Sequence, residues 1–430
     1  MSQAKKHYRV VDVSMFFLIV FVATLTALFV IQYCNLFDNF GLMAKQRLLT
    51  NPSVTFFITP VFFWVSAYLC RVYSPKASGN YLYYALNELK KDPNNFDKVS
   101  TFLNIRLVMV KAVSSLIASF SGGALGKEGP SVHMSAGILA SLANRYEKLL
   151  PKINLETWVM AGTASGLAIA FNAPIAGIIF IIEKLSKAKF KNFKSNLTWT
   201  IILVSIITII FHKPQPLFNF HNLIFRVKSE SAALIFLAVS CGFFAFIFQS
   251  ANNYFYTKIS NIRSNWWHVI PVFAGFMVAG INFYCGIYSF SGGIYTSQQA
   301  LLSATPILSY AEVIGRIFNT IITFVSGCAG GLIAPSMAVG TGIGSIFSAV
   351  MPNADIGVFL LIGMTAFLSA VLGEPITAAV VIFETTGQNI ENLPFLVSAA
   401  IISSATFKSI GKLNIKRKSK LESQIVVSKS

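Results

Sequence analysis

The sequence predicts an all-α, polytopic integral membrane protein, built as an inverted-topology repeat with tilted and broken helices. Three observations predict it. Apolar stretches recur from end to end, two glycine- and proline-bearing blocks occur twice at nearly the same spacing, and the lysines are concentrated in tails and short loops. Of 430 residues, 54% are hydrophobic and only 12% are charged, far from the balance of a soluble domain.

The apolar stretches run from Ser14 to Ile31, Val54 to Leu69, Leu107 to Phe120, Trp158 to Ile182, Leu197 to Phe211, Ala232 to Phe248, Val269 to Tyr288, Val313 to Val339, Ile356 to Phe383 and Phe395 to Phe407. Several exceed one crossing of a hydrocarbon core about 30 Å thick, or are interrupted by Gly and Pro, so more than ten helices are expected. Ser14 to Ile31 is too long for a signal peptide and lacks a small-residue cleavage site, so it reads as a retained first helix. The formal charge of +18 resembles that of a nucleic-acid binder. Its sources are Lys5, Lys6 and Arg9 ahead of the first span, Lys90, Lys91 and Lys98, the run from Lys184 to Lys194, and Lys408 to Lys420. Basic residues in short loops hold those loops in the cytoplasm, which places both termini there and leaves no nucleic-acid partner implied. The five cysteines, Cys34, Cys70, Cys241, Cys285 and Cys328, show no metal-type spacing and read as packing residues. No cofactor is implied.

Self-comparison gives the organisation. Ser121 to Ile138 lies over Ser326 to Ile343 at an offset of 205, with Ser121, Gly122, Gly126, Pro130, Ser131, Gly137 and Ile138 identical to their counterparts. Ala161 to Leu185 lies over Ile362 to Thr386 at an offset of 201, matching Gly162, Pro174, Ile175 and Glu183 with Gly363, Pro375, Ile376 and Glu384. Two blocks at nearly one offset make two related halves. Five lysines follow Glu183 within eleven residues, whereas no basic residue occurs in TTGQNIENLP after Glu384. Equivalent segments then face opposite sides, which is the inverted arrangement of many transporters. The expected parts are a cytoplasmic segment 1–13, a transmembrane domain 14–410 with halves of about 14–212 and 229–410, and a short basic cytoplasmic tail 411–430 without a regulatory domain. That tail suggests a prokaryotic plasma membrane.

Each block reads Gly-x-x-x-Pro followed by a helical pattern, at Gly126 to Pro130 and at Gly331 to Pro335. Proline suits a helix's first turn because its missing N–H has no intrahelical partner there. A helix N-terminus offers free N–H groups and about half a positive charge, an anion site without a fixed cation. Irregular backbone at membrane depth is tolerated only where it lines a cavity. The alternative is that the glycines simply permit close helix packing. Glu128 breaks the symmetry, since its counterpart is Ile333. A carboxylate at membrane depth costs about 3 kcal/mol on insertion scales and marks pathways and proton relays. At a helix N-terminus it is a tethered competitor for the anion, released by protonation. The alternative for Glu128 is a surface salt bridge with Lys127.

GKEGP followed by SVH resembles the second signature of the CLC family of chloride channels and chloride/proton exchangers. GLIAP resembles the third, and FNAPIAGIIFIIE resembles the segment between them. The match runs over nearly the whole membrane part in the right order. It implies an all-helical homodimer in an inner or plasma membrane, with an anion pathway in each subunit. Glu128 is then the gating, proton-coupling glutamate, and the backbone N–H groups of Leu332 and Ile333 face the central anion, with Lys127 and Gly129 beside it. The first signature survives only as ASGNY, where Ser78 is the anion-binding serine. A register shifted by two resembles the fluoride-exporting branch instead and puts Asn80 at the anion, although Pro130 and Leu332 match the chloride type. At the internal proton position of the family's exchangers stands Lys184, one residue after Glu183; the lysine either titrates or snorkels. The family's central tyrosine has no counterpart after Tyr310, and Ile415 takes its nearest register. The resemblance implies chloride transport, as chloride/proton antiport gated by protonation of Glu128, as an uncoupled voltage- or pH-gated channel, or as fluoride/proton antiport. A membrane-embedded hydrolase needs a nucleophile and base or a metal cluster. His133 has no partner at metal spacing and reads as a helix-packing residue.

Overall fold

A computed structural model describes residues 2–79, 82–92, 96–145, 155–187, 216–218, 220, 223, 227–262, 265–302, 308–351 and 355–427. The first half contributes helices α1 (Ser2–Thr50), α2 (Pro52–Tyr73), α3 (Leu82–Lys91), α4 (Phe96–Ser100), α5 (Ile105–Phe120), α6 (Glu128–Arg145), α7 (Leu155–Phe171) and α8 (Pro174–Lys187). The second contributes α9 (Val227–Ser260), α10 (Val269–Tyr284), α11 (Ile294–Leu302), α12 (Tyr310–Val325), α13 (Ile333–Val350), α14 (Ile356–Leu372), α15 (Pro375–Thr386) and α16 (Leu393–Val427). Seven of the described helical segments are long and apolar enough to cross a membrane, and α7, α14 and α15 are shorter apolar helices. The expected stretch Leu197 to Phe211 lies outside the described residues.

Local chemistry sets the breaks. Pro52, Pro174 and Pro375 open α2, α8 and α15, where a missing N–H leaves no hydrogen bond unmade. Ser309 and Glu312 form a reciprocal capping box at the start of α12. Three of the long apolar stretches are each divided into two helices: α7 and α8, α12 and α13, α14 and α15. Gly122 and Gly327, equivalent in the two repeats, both adopt positive φ, at 86° and 95°, and turn the chain ahead of α6 and α13.

The first helix differs from expectation. It runs unbroken from Ser2 to Thr50, well past the apolar stretch 14–31, and among the described residues its apolar, span-length portion extends to Thr50. Asp38, Gly41 and Lys45, which break the apolar run in the sequence, line an internal cavity, so their polarity does not end the span. At the other end, α16 continues past residue 410 as one helix to Val427, with no break where Ile415 falls.

Two helices are buried on nearly every side, α7 and α14, as apolar helices without a polar face must be. α6 packs along α7 and α13 along α14, the same pairing in each repeat. The halves meet in two reciprocal contacts. Gly126 and Gly331 exchange N–H···O bonds of 2.8 Å in both directions, an isolated antiparallel bridge. Glu183, near the end of α8, accepts hydrogen bonds from the backbone N–H of Ile376 (3.1 Å) and Thr377 (2.8 Å) at the start of α15. Glu384, near the end of α15, accepts from Ile175 (3.1 Å) and Ala176 (2.6 Å) at the start of α8. Each copy caps the other, end to start, so the two copies run antiparallel: this is the inverted repeat.

Candidate functional site

The beginnings of α6 and α13 converge. A Cβ on Gly129 would stand 2.8 Å from the Gly331 Cα, so only glycine lets these backbones cross. At that crossing the Glu128 side chain is completely buried, as the first residue of α6. Its Oε2 accepts a 3.3 Å hydrogen bond from the Ala334 N–H at the start of α13. The carboxylate of one half therefore occupies the N-terminus of the helix belonging to the other. Oε1 is buried without a hydrogen-bond partner. Leu332 and Ile333 precede Ala334 at the cap and first position of α13, where N–H groups have no acceptor within the helix.

Lys127 does not pair with Glu128. Its buried ammonium forms a close ion pair with Asp38 of α1, whose side chain is half exposed. Asp38, Lys127, Glu128, Gly126 and Ala334 line a cavity of about 230 Å³, closed on another side by the loop Phe290 to Gly293. That loop is held by Arg316, fully buried on α12, whose guanidinium donates to the carbonyls of Tyr288, Phe290 and Ser291. A buried guanidinium bonded to carbonyls rather than to a carboxylate leaves its positive charge uncompensated by those partners beside the cavity.

Ser78 lies elsewhere. It ends a short turn after α2, its Oγ 3.2 Å from the Pro75 carbonyl oxygen and 3.3 Å from the Tyr256 hydroxyl. With Arg71, Tyr256 and Ser326 it lines a second cavity of about 320 Å³. The two cavities lie at opposite ends of α10: Ile270 lines the second, and Ile287, just past the helix, lines the first. Sixteen residues of helix put about 24 Å between them. Asn80 lies outside the described residues.

Lys184 reaches the other half. Its ammonium is 3.0 Å from Oε1 of Glu374, a carboxylate only 5% exposed that immediately precedes α15, and it lies over the Phe180 ring. The pair is absent from the repeat, where Ala173 matches Glu374 and Thr385 matches Lys184. Glu183, the neighbour of Lys184, is engaged at the α15 N-terminus, including by the Thr377 hydroxyl at 2.8 Å. His133 is buried on α6 and donates from Nε2 to the Phe102 carbonyl at 2.8 Å. Among the described residues no three His, Cys, Asp or Glu side chains gather closely enough to hold a metal.

The sequence reading singled out neither Ala334, Asp38, Arg316 nor Glu374. For Glu374 a signal existed, because an acid stands where the aligned copy has alanine. Asp38 and Arg316 each find their partners on other segments of the chain.

The model of a family described as voltage gated chloride channel matches residues 61–408. The H(+)/Cl(-) exchange transporter ClcA of Vibrio parahaemolyticus serotype O3:K6 is 26% identical over 79% of this chain and 74% of its own length. The protein of the same name from Klebsiella pneumoniae strain 342 is 27% identical over 80% of this chain and 74% of its own. A slow cyanobacterial Cl−/H+ antiporter superposes with a TM-score of 0.73 at 19% identity, covering 93% of this chain and 97% of that one. A CLC-type fluoride/proton antiporter superposes equally well, with a TM-score of 0.73 at 17% identity over 90% and 93% of the two chains. With the family model spanning both repeats and these relatives sharing the fold, the chain belongs to the voltage gated chloride channel family.

Proposed function

We propose that this protein moves chloride across the membrane in exchange for protons, and that protonation of Glu128 sets the cycle. The observation that carries the reading is the position of the Glu128 carboxylate, on the Ala334 N–H at the start of the opposing helix. An anion held there would use the same N–H group and those of Leu332 and Ile333 before it. Charged, the side chain competes for that place; neutral, it loses most of its attraction to the N-terminus and leaves it to the anion. The proton that displaces Glu128 thus admits chloride. The Gly126–Gly331 bridge fixes both helix starts, and Gly129 lets them approach. Lys127 and Arg316 add positive charge beside the first cavity, Ser78 serves the second, and the Lys184–Glu374 pair marks the internal proton position. The relatives named as chloride/proton exchangers support the choice of ions.

The first cavity is then the outer vestibule and the second the inner one, with the basic loop after Lys184 and both termini in the cytoplasm of a cell whose inner membrane holds the protein. Two chains form the unit, each with its own pathway. The domain limits are those of the repeat, about 14–212 and 229–410, and the protein is a transporter, not an enzyme. Chloride-driven proton uptake by vesicles containing the purified protein tests this. A reversal potential that shifts with an imposed proton gradient is the expected result. One that follows chloride alone marks an uncoupled channel and overturns the exchange. Preferential movement of fluoride overturns the choice of anion.

A further inference from the structure

We propose that Asp38 of α1 is an outer proton relay, the carboxylate that takes protons from solution and passes them through water in the first cavity to Glu128. The inference rests on the exchange reading above and supplies a step that reading does not contain, the route by which a proton reaches a buried acid.

Glu128 does not meet the outer solution itself, because none of its surface is exposed. Asp38 does: half of its side chain is exposed, and it lines the same cavity as Glu128. Among the described residues these are the two carboxylates that line the first cavity, and none lines the second. A cavity of about 230 Å³ has room for several waters, and Ser291, Thr296 and Gln298 give its wall polar groups to hold them. A proton taken up by Asp38 leaves a neutral carboxyl there. Passing that proton on through the water restores the Asp38 carboxylate and makes Glu128 neutral, and Oε1 of Glu128 can receive it without giving up a hydrogen bond.

An acid at the mouth of an anion pathway needs a reason, since its charge repels the anion and ionisable groups at membrane depth are costly. If drawing in the anion were the whole task, Lys127 without an acid would do it better. The close pair of Asp38 with Lys127 balances the two charges, so a carboxylate can stand in the vestibule without turning chloride away. The arrangement is confined to the gated half: Lys127 and Glu128 match Leu332 and Ile333 in the repeat. The other titratable groups near Asp38 are engaged elsewhere. On its own helix, the Lys45 ammonium lies over the Tyr295 ring, 3.1 Å from its centroid, the Tyr33 hydroxyl is 2.8 Å from the Ser115 hydroxyl, and the Cys34 thiol is 3.4 Å from that of Ser131. Across from it, α6 presents Lys127 and Glu128.

Chloride-driven proton uptake by vesicles holding the purified full-length protein is the test. Asp38→Asn should slow it by about a hundredfold, the lower end of what a positioned proton-transfer group contributes, whereas Asp38→Glu keeps the carboxylate and should retain most of the rate. Asp38→Asn at the wild-type rate, or Asp38→Glu as slow as Asp38→Asn, overturns the relay alone. Asp38→Asn combined with Lys127→Met separates proton transfer from mere charge balance. The relay predicts that proton uptake stays slow in this double variant; recovery to the wild-type rate means that Asp38 only neutralises Lys127, and overturns it. Asp38→Asn added to Glu128→Gln, where chloride needs no proton, should conduct chloride at least as fast as Glu128→Gln does. Loss of conduction there assigns Asp38 to the anion path or to the fold and overturns the relay. Wild-type protein that moves chloride without protons overturns the exchange reading and this inference with it.

Discussion

Glu128 and Glu183 are both acids buried in the membrane region, and their surroundings give them different work. Glu183 satisfies three donors, two backbone N–H groups and a hydroxyl, and is fixed by them. Glu128 is held across the halves by one 3.3 Å contact and has a buried oxygen without a hydrogen-bond partner, so its hold on the opposing helix is weaker than that of Glu183. Lys184 and Glu374 form a cross-half ion pair in which the acid is the more deeply buried member. Breaking a buried pair by removing one partner costs more than removing both, because a lone charge is left behind. Lys184→Met should therefore lower the thermal unfolding midpoint in detergent, and adding Glu374→Gln should restore most of the loss. A double variant less stable than either single one would show that the pair itself holds the halves together.

At the scale of elements, the fold depends on helix ends meeting helix starts. Glu183 and Glu384 occupy equivalent positions, but the first accepts three hydrogen bonds and the second two at the opposing helix start. Loss of such a cap costs about 0.5–2 kcal/mol. Glu183→Ala should fall near the upper end and Glu384→Ala near the middle, an order that unfolding midpoints would reveal. The α6–α13 crossing is less forgiving. Gly129→Ala places a methyl group 2.8 Å from the Gly331 Cα, and overpacking of this kind costs about 1–3 kcal/mol. Chloride flux should drop with it, because the bridge that sets both helix starts must open. These junctions were legible in the sequence because glycine and proline act through the backbone and leave a local mark, repeated at offsets of 205 and 201. The start and length of α1 were not. The apolar window at 14–31 marks only part of the helix, which continues through Asp38, Gly41 and Lys45 to Thr50, and the polarity of these residues is absorbed by a cavity that only the folded chain creates.

Over the whole molecule, antiparallel copies put the ends of α8 and α15 on opposite sides of their shared contact. A cysteine at Ser186, in the last turn of α8 within the lysine-rich stretch, and one at Asn389, beyond α15, should react with a membrane-impermeant thiol reagent from opposite faces of sealed vesicles. Reaction from one face would contradict the inverted repeat. The same symmetry explains which parts of the site could be read in advance. What the two halves share was visible by comparing them, and Glu128 stood out as the acid without a counterpart. What arises between distant segments was not, as with Asp38 on Lys127 and Tyr256 on Ser78, since no spacing along the chain encodes those contacts. The central claim is that one side chain both blocks the anion and carries the proton. Paired chloride and proton flux through reconstituted wild type and Glu128→Gln tests it most directly. The account predicts that Glu128→Gln conducts chloride at a rate indifferent to pH and moves no protons; a Glu128→Gln protein that still drives protons against their gradient would contradict it.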